Sequence, residues 1–174
     1  MERASFADME CPIARAVDEV GDGWTLLILR EAYKGAATFS AFQEGLPIAP
    51  ATLTRKLEAL KLRGFFTMTA YQTNPLRERY ELTAKALELL PVLLALGTWG
   101  NRWLAPEGEI LTVVDAASGS PLDLAVVDRK TAQPVLAGRV ALKPGAGATK
   151  GLRDKLKEPL ILGAGRTEGR PRAS

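Results

Sequence analysis

Glycine and proline cut the first half of this chain into short pieces, and that punctuation limits its possible folds more than any other feature. Gly21, Gly23, Gly35, Gly45, Pro47, Pro50 and Gly64 bound successive stretches. Within them apolar residues recur three or four apart, the helical period. A first helix is expected from near Pro12, where proline's missing N–H would have no helical partner anyway, to the glycines at 21 and 23. A second runs from about Trp24 to Tyr33, with Trp24, Leu27, Ile28 and Ala32 on one face and Lys34-Gly35 as its end. Thr38 can cap a third, Phe39 to about Gly45, with Phe39 and Phe42 facing inward. After the turn GLPIAP a fourth runs from about Pro50 to Arg63 on a buried stripe of Leu53, Leu57 and Leu60. Leu62 falls off that stripe.

The period then changes. FFTMTAYQ is aromatic and β-branched, and RERYELT alternates, with Tyr80 and Leu82 on one face. TNPL between them, with Asn74 and Pro75, is a turn signal, so a β-hairpin is expected. From near Thr83 to about Leu104 the chain reads as one long apolar helix containing Leu87, Leu90, Leu94, Leu96 and Trp99. Pro91 removes a helix hydrogen bond, so a bend is expected there. Beyond Pro106 come three short β-like runs, EILTVVD, LDLAVVD and PVLAGRVAL. KPGAGATKG reads as a linker, LRDKLKEPLIL as a short helix, and GAGRTEGRPRAS as a disordered basic tail. No internal repeat is read. The expected organisation is a domain over 1–106, a small β appendage over 107–145, and linker, helix and tail over 146–174.

Net charge says little, being only +3, but its distribution is uneven. Residues 1–22 carry two cations against six acids (2 − 6 = −4), and residues 50–64 four cations against Glu58 (4 − 1 = +3). A localised basic element is the electrostatic footprint of a nucleic-acid contact. One cysteine and no histidine exclude an internal disulfide, a Cys/His zinc site and any triad that needs imidazole. No catalytic residue, metal or cofactor is expected, and the protein is not read as an enzyme. The N-terminus lacks a basic-then-apolar signal pattern and no apolar run reaches membrane-span length, so a cytoplasmic protein is expected.

Helix, helix, turn, helix, hairpin, in that order, is the arrangement of a winged helix-turn-helix. The fold class expected is α+β, mainly α, with a small C-terminal β appendage. In that geometry the Phe39 helix braces the DNA backbone while the Pro50 helix lies in the major groove, which admits one helix. The residues at its start are Pro50, Ala51, Thr52, Thr54, Arg55 and Lys56. Small side chains permit close approach, and the threonines can bond phosphates or base edges. Arg55 lies opposite the leucine stripe and is the candidate for a bidentate guanine contact. Lys56, more lateral, is expected on phosphate. Thr38 joins the candidate set, and Arg77 and Arg79 on the hairpin can reach phosphates or the minor groove. Taken alone, an amphipathic helix with a few cations is also an ordinary solvated face. The rival reading is a winged-helix module that binds protein without specific DNA binding.

The sequence CPIARAVDEVGDGWTLLILREAYKG resembles the opening of the HxlR family of bacterial winged-helix regulators. FSAFQEGLPIAPATLTRKLEALKLRGF is similar to that family's helix-turn-helix, and RERYELTAKALELLPVLLALGTWG to its wing and final helix. The resemblance spans residues 11–103. It implies a homodimeric transcription factor, often a repressor, on double-stranded DNA, pairing through Pro12–Val20 and Thr83–Trp103. Ala49 departs from the serine that many members carry before the recognition-helix proline. Cys11 stands at the family's N-terminal cysteine position, a redox sensor in some members. Lying just before Pro12, it is placed where a helix dipole favours thiolate, whereas Asp8 and Glu10 oppose it. A small-molecule or redox effector is not identified.

Overall fold

The computed structural model describes residues 5–74 and 76–162. Expectations about Pro75 and about the tail from Gly163 lie outside the described residues. The chain groups into two compact units, Met1–Leu122 and Asp123–Ser174.

In the first unit the order is α1 (Pro12–Val20), α2 (Gly23–Tyr33), α3 (Phe39–Gly45), α4 (Pro50–Leu62), β1 (Phe66–Thr73), β2 (Leu76–Leu82), α5 (Ala84–Leu87) and α6 (Leu90–Leu104). Strands β1 and β2 form an antiparallel hairpin running from Phe66↔Leu82 to Thr73↔Leu76, with a bulge between Ala70 and Gln72. This is a winged helix-turn-helix. One backbone hydrogen bond ties the wing to the segment before α3, for Tyr80 N–H donates to the Ala37 carbonyl at 2.8 Å.

The core sits among α2, α3, α4 and the base of the wing. Ile28, Leu29, Phe42, Leu53, Leu57 and Leu60 are fully buried, and Ala32, Leu46, Ile48, Phe65, Phe66 and Ala86 complete the cluster. Phe42, Phe66 and Tyr80 pack tilted or edge-on with ring centroids 5.7–6.0 Å apart, the favourable geometry for aromatic quadrupoles. Leu62 is 84% exposed, as its place off the leucine stripe implies.

Two glycines shape the framework through conformation rather than space. Gly35 and Gly64 have φ of 103° and 75°, and an added Cβ would meet nothing at either. Each ends a helix in a Schellman motif. After α4, Gly64 N–H donates to the Lys61 carbonyl at 2.9 Å and Phe65 N–H to the Leu60 carbonyl at 2.9 Å. After α2, Gly35 and Ala36 bond Ala32 and Glu31 in the same way, both at 3.0 Å. The Gly64 motif aims Phe65 and Phe66 into the core and so sets where the wing begins. Gly45 is different: a Cβ there would lie 2.7 Å from a carboxylate oxygen of Glu31, a buried acid held by Arg30 and Lys34.

The expected single helix from Thr83 to Leu104 is two helices. Thr83 caps α5 by accepting from Ala86 N–H at 3.3 Å, the helix stops at Leu87, and α6 begins at Leu90 with Pro91 in its first turn. Pro91 has no N–H to donate to the Leu87 carbonyl, so the ladder breaks rather than bends. Leu89 and Leu93 pack on the core. Val92, Leu96, Trp99 and Trp103 follow a 4-3-4 spacing on another face, and all four are about half exposed or more.

Past α6, Asn101 clamps the chain back on the helix: its side-chain oxygen accepts from Ile110 N–H at 3.2 Å and its amide donates to the Leu111 carbonyl at 2.5 Å. Of the β-like runs, the end of the third, Ala141–Leu142, forms a short strand; otherwise, among the described residues, they make two isolated bridges, Val114↔Pro121 in the first unit and Val127↔Pro134 in the second. Proline cannot donate to a ladder, so pairing stops at each.

These bridges reveal an internal repeat that reading the sequence missed. Val113-Val114-Asp115…Pro121 and Val126-Val127-Asp128…Pro134 recur at a spacing of 128 − 115 = 13 residues. In the first arch Asp115 N–H donates to the Ser120 carbonyl, Gly119 N–H to Asp115 and Leu122 N–H to Val113, at 2.8–2.9 Å. In the second, Asp128 pairs with Gln133, Ala132 with Asp128 and Val135 with Val126, at 2.7–2.9 Å. The aspartate carboxylate accepts two turn N–H groups in each, from Ala117 and Ser118 or from Lys130 and Thr131. Gly119 and Ala132 occupy the same left-handed position, with φ of 71° and 56°. Few residues are shared, because the arch needs only an aspartate, a tolerant left-handed residue and a terminating proline.

The second unit also contains β3 (Ala141–Leu142), α7 (Lys150–Lys155) and β4 (Leu160–Ile161), with β3 and β4 antiparallel. The glycine-rich segment before α7 is folded back on it. Arg153 donates to the carbonyls of Ala146 and Ala148 at 2.9 and 3.1 Å, and Thr149 caps the helix by accepting from Leu152 N–H at 3.2 Å.

Candidate nucleic-acid interface

Helix α4 presents one face to the core through Leu53, Leu57 and Leu60 and leaves its start exposed at Pro50, Ala51, Thr54 and Arg55. Proline at N1 pre-sets the first turn. Ala49, the N-cap, has no side-chain oxygen, so the first-turn amides carry no side-chain cap. Such an end is suited to an anion, which the helix dipole favours.

The four cations of this helix and its C-cap are not equivalent. Lys56 is committed inward: its ammonium lies 2.7 Å from Asp22, with both side chains about one-fifth exposed. Asp22 is itself the N-cap of α2, accepting from Trp24 N–H at 3.1 Å and from the Thr25 hydroxyl. Burial pushes the Asp22 carboxyl up, but the bonds from Lys56 and Thr25 together with the Lys56 charge outweigh it and hold the group below the usual aspartate value. Lys61 pairs with Glu58 at 2.7 Å. Arg63 donates to the Glu19 carbonyl at 2.5 Å. Arg55 alone of the four has no ion pair or hydrogen bond among the described residues, and it is exposed.

The other expected positions fall into two groups. Thr52 is half-buried in the first turn, and Thr54 donates back to the Pro50 carbonyl at 3.0 Å, which leaves its oxygen lone pairs and methyl outward. Thr38 is the N-cap of α3, accepting from Ala41 N–H at 3.3 Å and lying 3.1 Å from the Ser40 hydroxyl. On the wing, Arg77 pairs with Gln72 across the hairpin and its exposed side chain has no ion pair among the described residues. Arg79 is held by Glu81 at 2.9 Å. The structure thus leaves Arg55 and Arg77 as outward cations and uses Lys56, Lys61 and Arg79 in pairs within the protein.

Cys11 is the N-cap of α1, half-buried, with no side-chain cap bond. Asp22 was missed by sequence reading, which began α2 at Trp24. The signal was present in Asp-Gly-Trp-Thr, a capping residue just ahead of an apolar period. No group of three or more metal-ligating side chains occurs among the described residues.

The HxlR-like helix-turn-helix family model matches residues 19–108. A helix-turn-helix-type transcriptional regulator of Mycobacterium tuberculosis, itself uncharacterised, is 32% identical over 136 residues, 78% of this chain and 86% of that one. Another from Synechocystis is 37% identical over 98 residues, 56% of this chain and 73% of that one. Among solved structures, PA1607, a proposed transcription factor, superposes with a TM-score of 0.74 at 30% identity, covering 82% of this chain and all of that one. PA1374 from Pseudomonas aeruginosa does so with a TM-score of 0.62 at 35% identity, covering 84% of this chain and all of that one. Both structural matches cover more of the chain than residues 1–108 make up, so the likeness continues into the C-terminal part.

Proposed function

Since this chain belongs to the HxlR-like helix-turn-helix family of transcriptional regulators, we propose that it acts as a homodimeric repressor, reading a near-palindromic operator with α4 in the major groove. The observation that carries the reading is the selective freeing of Arg55. Of the cations on the recognition helix it is the one left outward and unpaired, at the end of the helix that reaches base edges. Pro50, Ala51, Thr52 and Thr54 surround it closely enough for base and phosphate contact, and Arg77 extends the contact from the wing. Thr38, Lys56 and Arg79 serve the same surface by holding α3, α4 and the wing in place.

Two features support a dimer. Helix α6 only half-buries Leu93 against the core, fully buries no residue, and exposes Leu96, Trp99 and Trp103 in one stripe. Helix α1 exposes Ile13 at 71%. Apolar stripes of this size are ordinarily covered. The winged helix-turn-helix over 1–106, with its dimerisation helices, is then the DNA-binding domain and the rest an appendage to it. No helix is long and apolar enough to cross a membrane among the described residues, in keeping with a protein that works on DNA in the cytoplasm. Cys11, as the one cysteine, could register oxidants only by bonding a small thiol or the same residue of a second copy.

The test is selection of bound fragments from the source genome, followed by footprinting with wild type and Arg55→Ala. Two protected patches about 34 Å apart are expected. Arg55→Ala is expected to lose about 1–3 kcal/mol on the selected site with little change on random duplex. Equal loss on both would reduce Arg55 to a phosphate contact, a single patch would remove the dimer, and no selected fragment would favour the protein-interaction reading.

A further inference from the structure

The charge of this protein is divided against expectation. Residues 5–122, which contain the helix-turn-helix, carry eleven lysines and arginines against fourteen acids (11 − 14 = −3). Residues 123–162 carry eight against four (8 − 4 = +4). Pairing sharpens the contrast. Six of the eleven cations in the first stretch are in ion pairs, namely Arg30, Lys34, Lys56, Lys61, Arg79 and Lys85. Among the described residues no cation of 123–162 is in one.

These unpaired cations are concentrated on a closed loop. Ala141↔Ile161 and Leu142↔Leu160 pair at its base, and Leu162 N–H donates to the Val140 carbonyl at 2.8 Å. The segment between them, 143–159, holds Lys143, Lys150, Arg153, Lys155 and Lys157 against Asp154 and Glu158 (5 − 2 = +3), all exposed. Leu152 and the C-cap Leu156 are half-buried, and Lys150, Arg153 and Lys155 are exposed around the rest of the helix. Arg153 is fixed by the Ala146 and Ala148 carbonyls, so the loop is folded rather than loose. An exposed cation with no acid to satisfy it attracts a polyanion, and several on a compact loop act together.

We infer that the 143–159 loop is a second, sequence-independent contact to the phosphate backbone of duplex DNA, supplying electrostatic affinity that the net-acidic helix-turn-helix unit lacks. The inference rests on the DNA-binding reading above and adds to it a second site on the same ligand. DNA is favoured over other polyanions because the same chain carries a recognition helix. Base specificity would stay with α4, while the loop would raise affinity for any sequence and steepen its salt dependence.

The experiment uses the full chain and a mixed-sequence duplex of about 40 base pairs, with affinity followed by anisotropy between about 50 and 200 mM salt. Lys143, Lys150, Lys155 and Lys157 are changed together to glutamine; Arg153 is kept because it holds the loop. Each phosphate contact contributes about 0.9 to the slope of log K against log salt. Loss of two contacts per protomer therefore flattens the slope by about 1.8, and across that salt range wild type falls about tenfold further than the variant. Changing the same four lysines to arginine is expected to keep the wild-type slope. Parallel slopes for wild type and the glutamine variant, with wild-type affinity intact, overturn this inference and leave the helix-turn-helix reading standing. So does an arginine variant that flattens like the glutamine one, since charge would then not be the cause. Loss of binding to phosphatidylserine vesicles with an unchanged DNA slope overturns it in favour of a membrane surface. A wild-type chain with no affinity for the duplex overturns the DNA reading itself.

Discussion

Replacing Asp22 by alanine removes a helix cap and an ion pair at one stroke, which makes the size of the effect calculable. The cap bond to Trp24 N–H is worth about 1 kcal/mol. The Lys56 pair is about one-fifth exposed on each side, so it belongs near the top of the range for surface pairs, about 1 kcal/mol, rather than with fully buried ones. Asp22→Ala should therefore cost about 2 kcal/mol. Asp22→Asn should cost about half that, because asparagine caps as well as aspartate but cannot pair with an ammonium. Lys56→Met should cost about 1 kcal/mol and the double variant about 2, which leaves a coupling of about 1 kcal/mol. Urea unfolding at fixed protein concentration measures all four corners of the cycle. The pH dependence has a definite sign. The folded carboxyl is held below its usual value, so its contribution is complete above about pH 4, the unfolded aspartate value. It is lost as pH falls through the lower folded value, where wild type and Asp22→Asn should converge. A coupling under about 0.3 kcal/mol at pH 7 would refute the claim that this pair fastens the recognition helix to α2.

Two further outcomes follow from the backbone. Gly64→Ala places a Cβ at φ 75°, so about 1–2 kcal/mol should be lost even though the space is open; chemical unfolding checks it, and a neutral result would mean the wing connection relaxes freely. In the two arches, hydrogen bonds from Ser118 and Ala117 to Asp115, and from Thr131 and Lys130 to Asp128, hold both carboxyls below the usual aspartate value. Carboxyl NMR titration should show both ionising below the range of free aspartate, with the arch turns losing these bonds as pH falls through those values; ordinary titration of either would separate the two arches.

Glycine, proline and the apolar period were enough to order the helices and the wing, because each is a local property of a few neighbouring residues. The same locality placed Leu53, Leu57 and Leu60 inward and Leu62 outward. It failed where residue types count for less than backbone shape. The arches share four residue identities over thirteen positions, too few to stand out until their hydrogen bonds were seen to be the same. It also gave Pro91 a bend where the chain breaks, since loss of the bond to the Leu87 carbonyl could be absorbed either way until Leu89 and Leu93 were drawn into the core. Above all, sequence could show that α4 is basic but not which cation is free. Lys56 meets Asp22, thirty-four residues earlier, and Arg63 meets the Glu19 carbonyl, forty-four residues earlier. The sequence by itself determined the elements and which face of each is apolar; packing α1, α2 and α4 together decided which charges are neutralised within the protein, because an ion pair depends on distance in space and not along the chain.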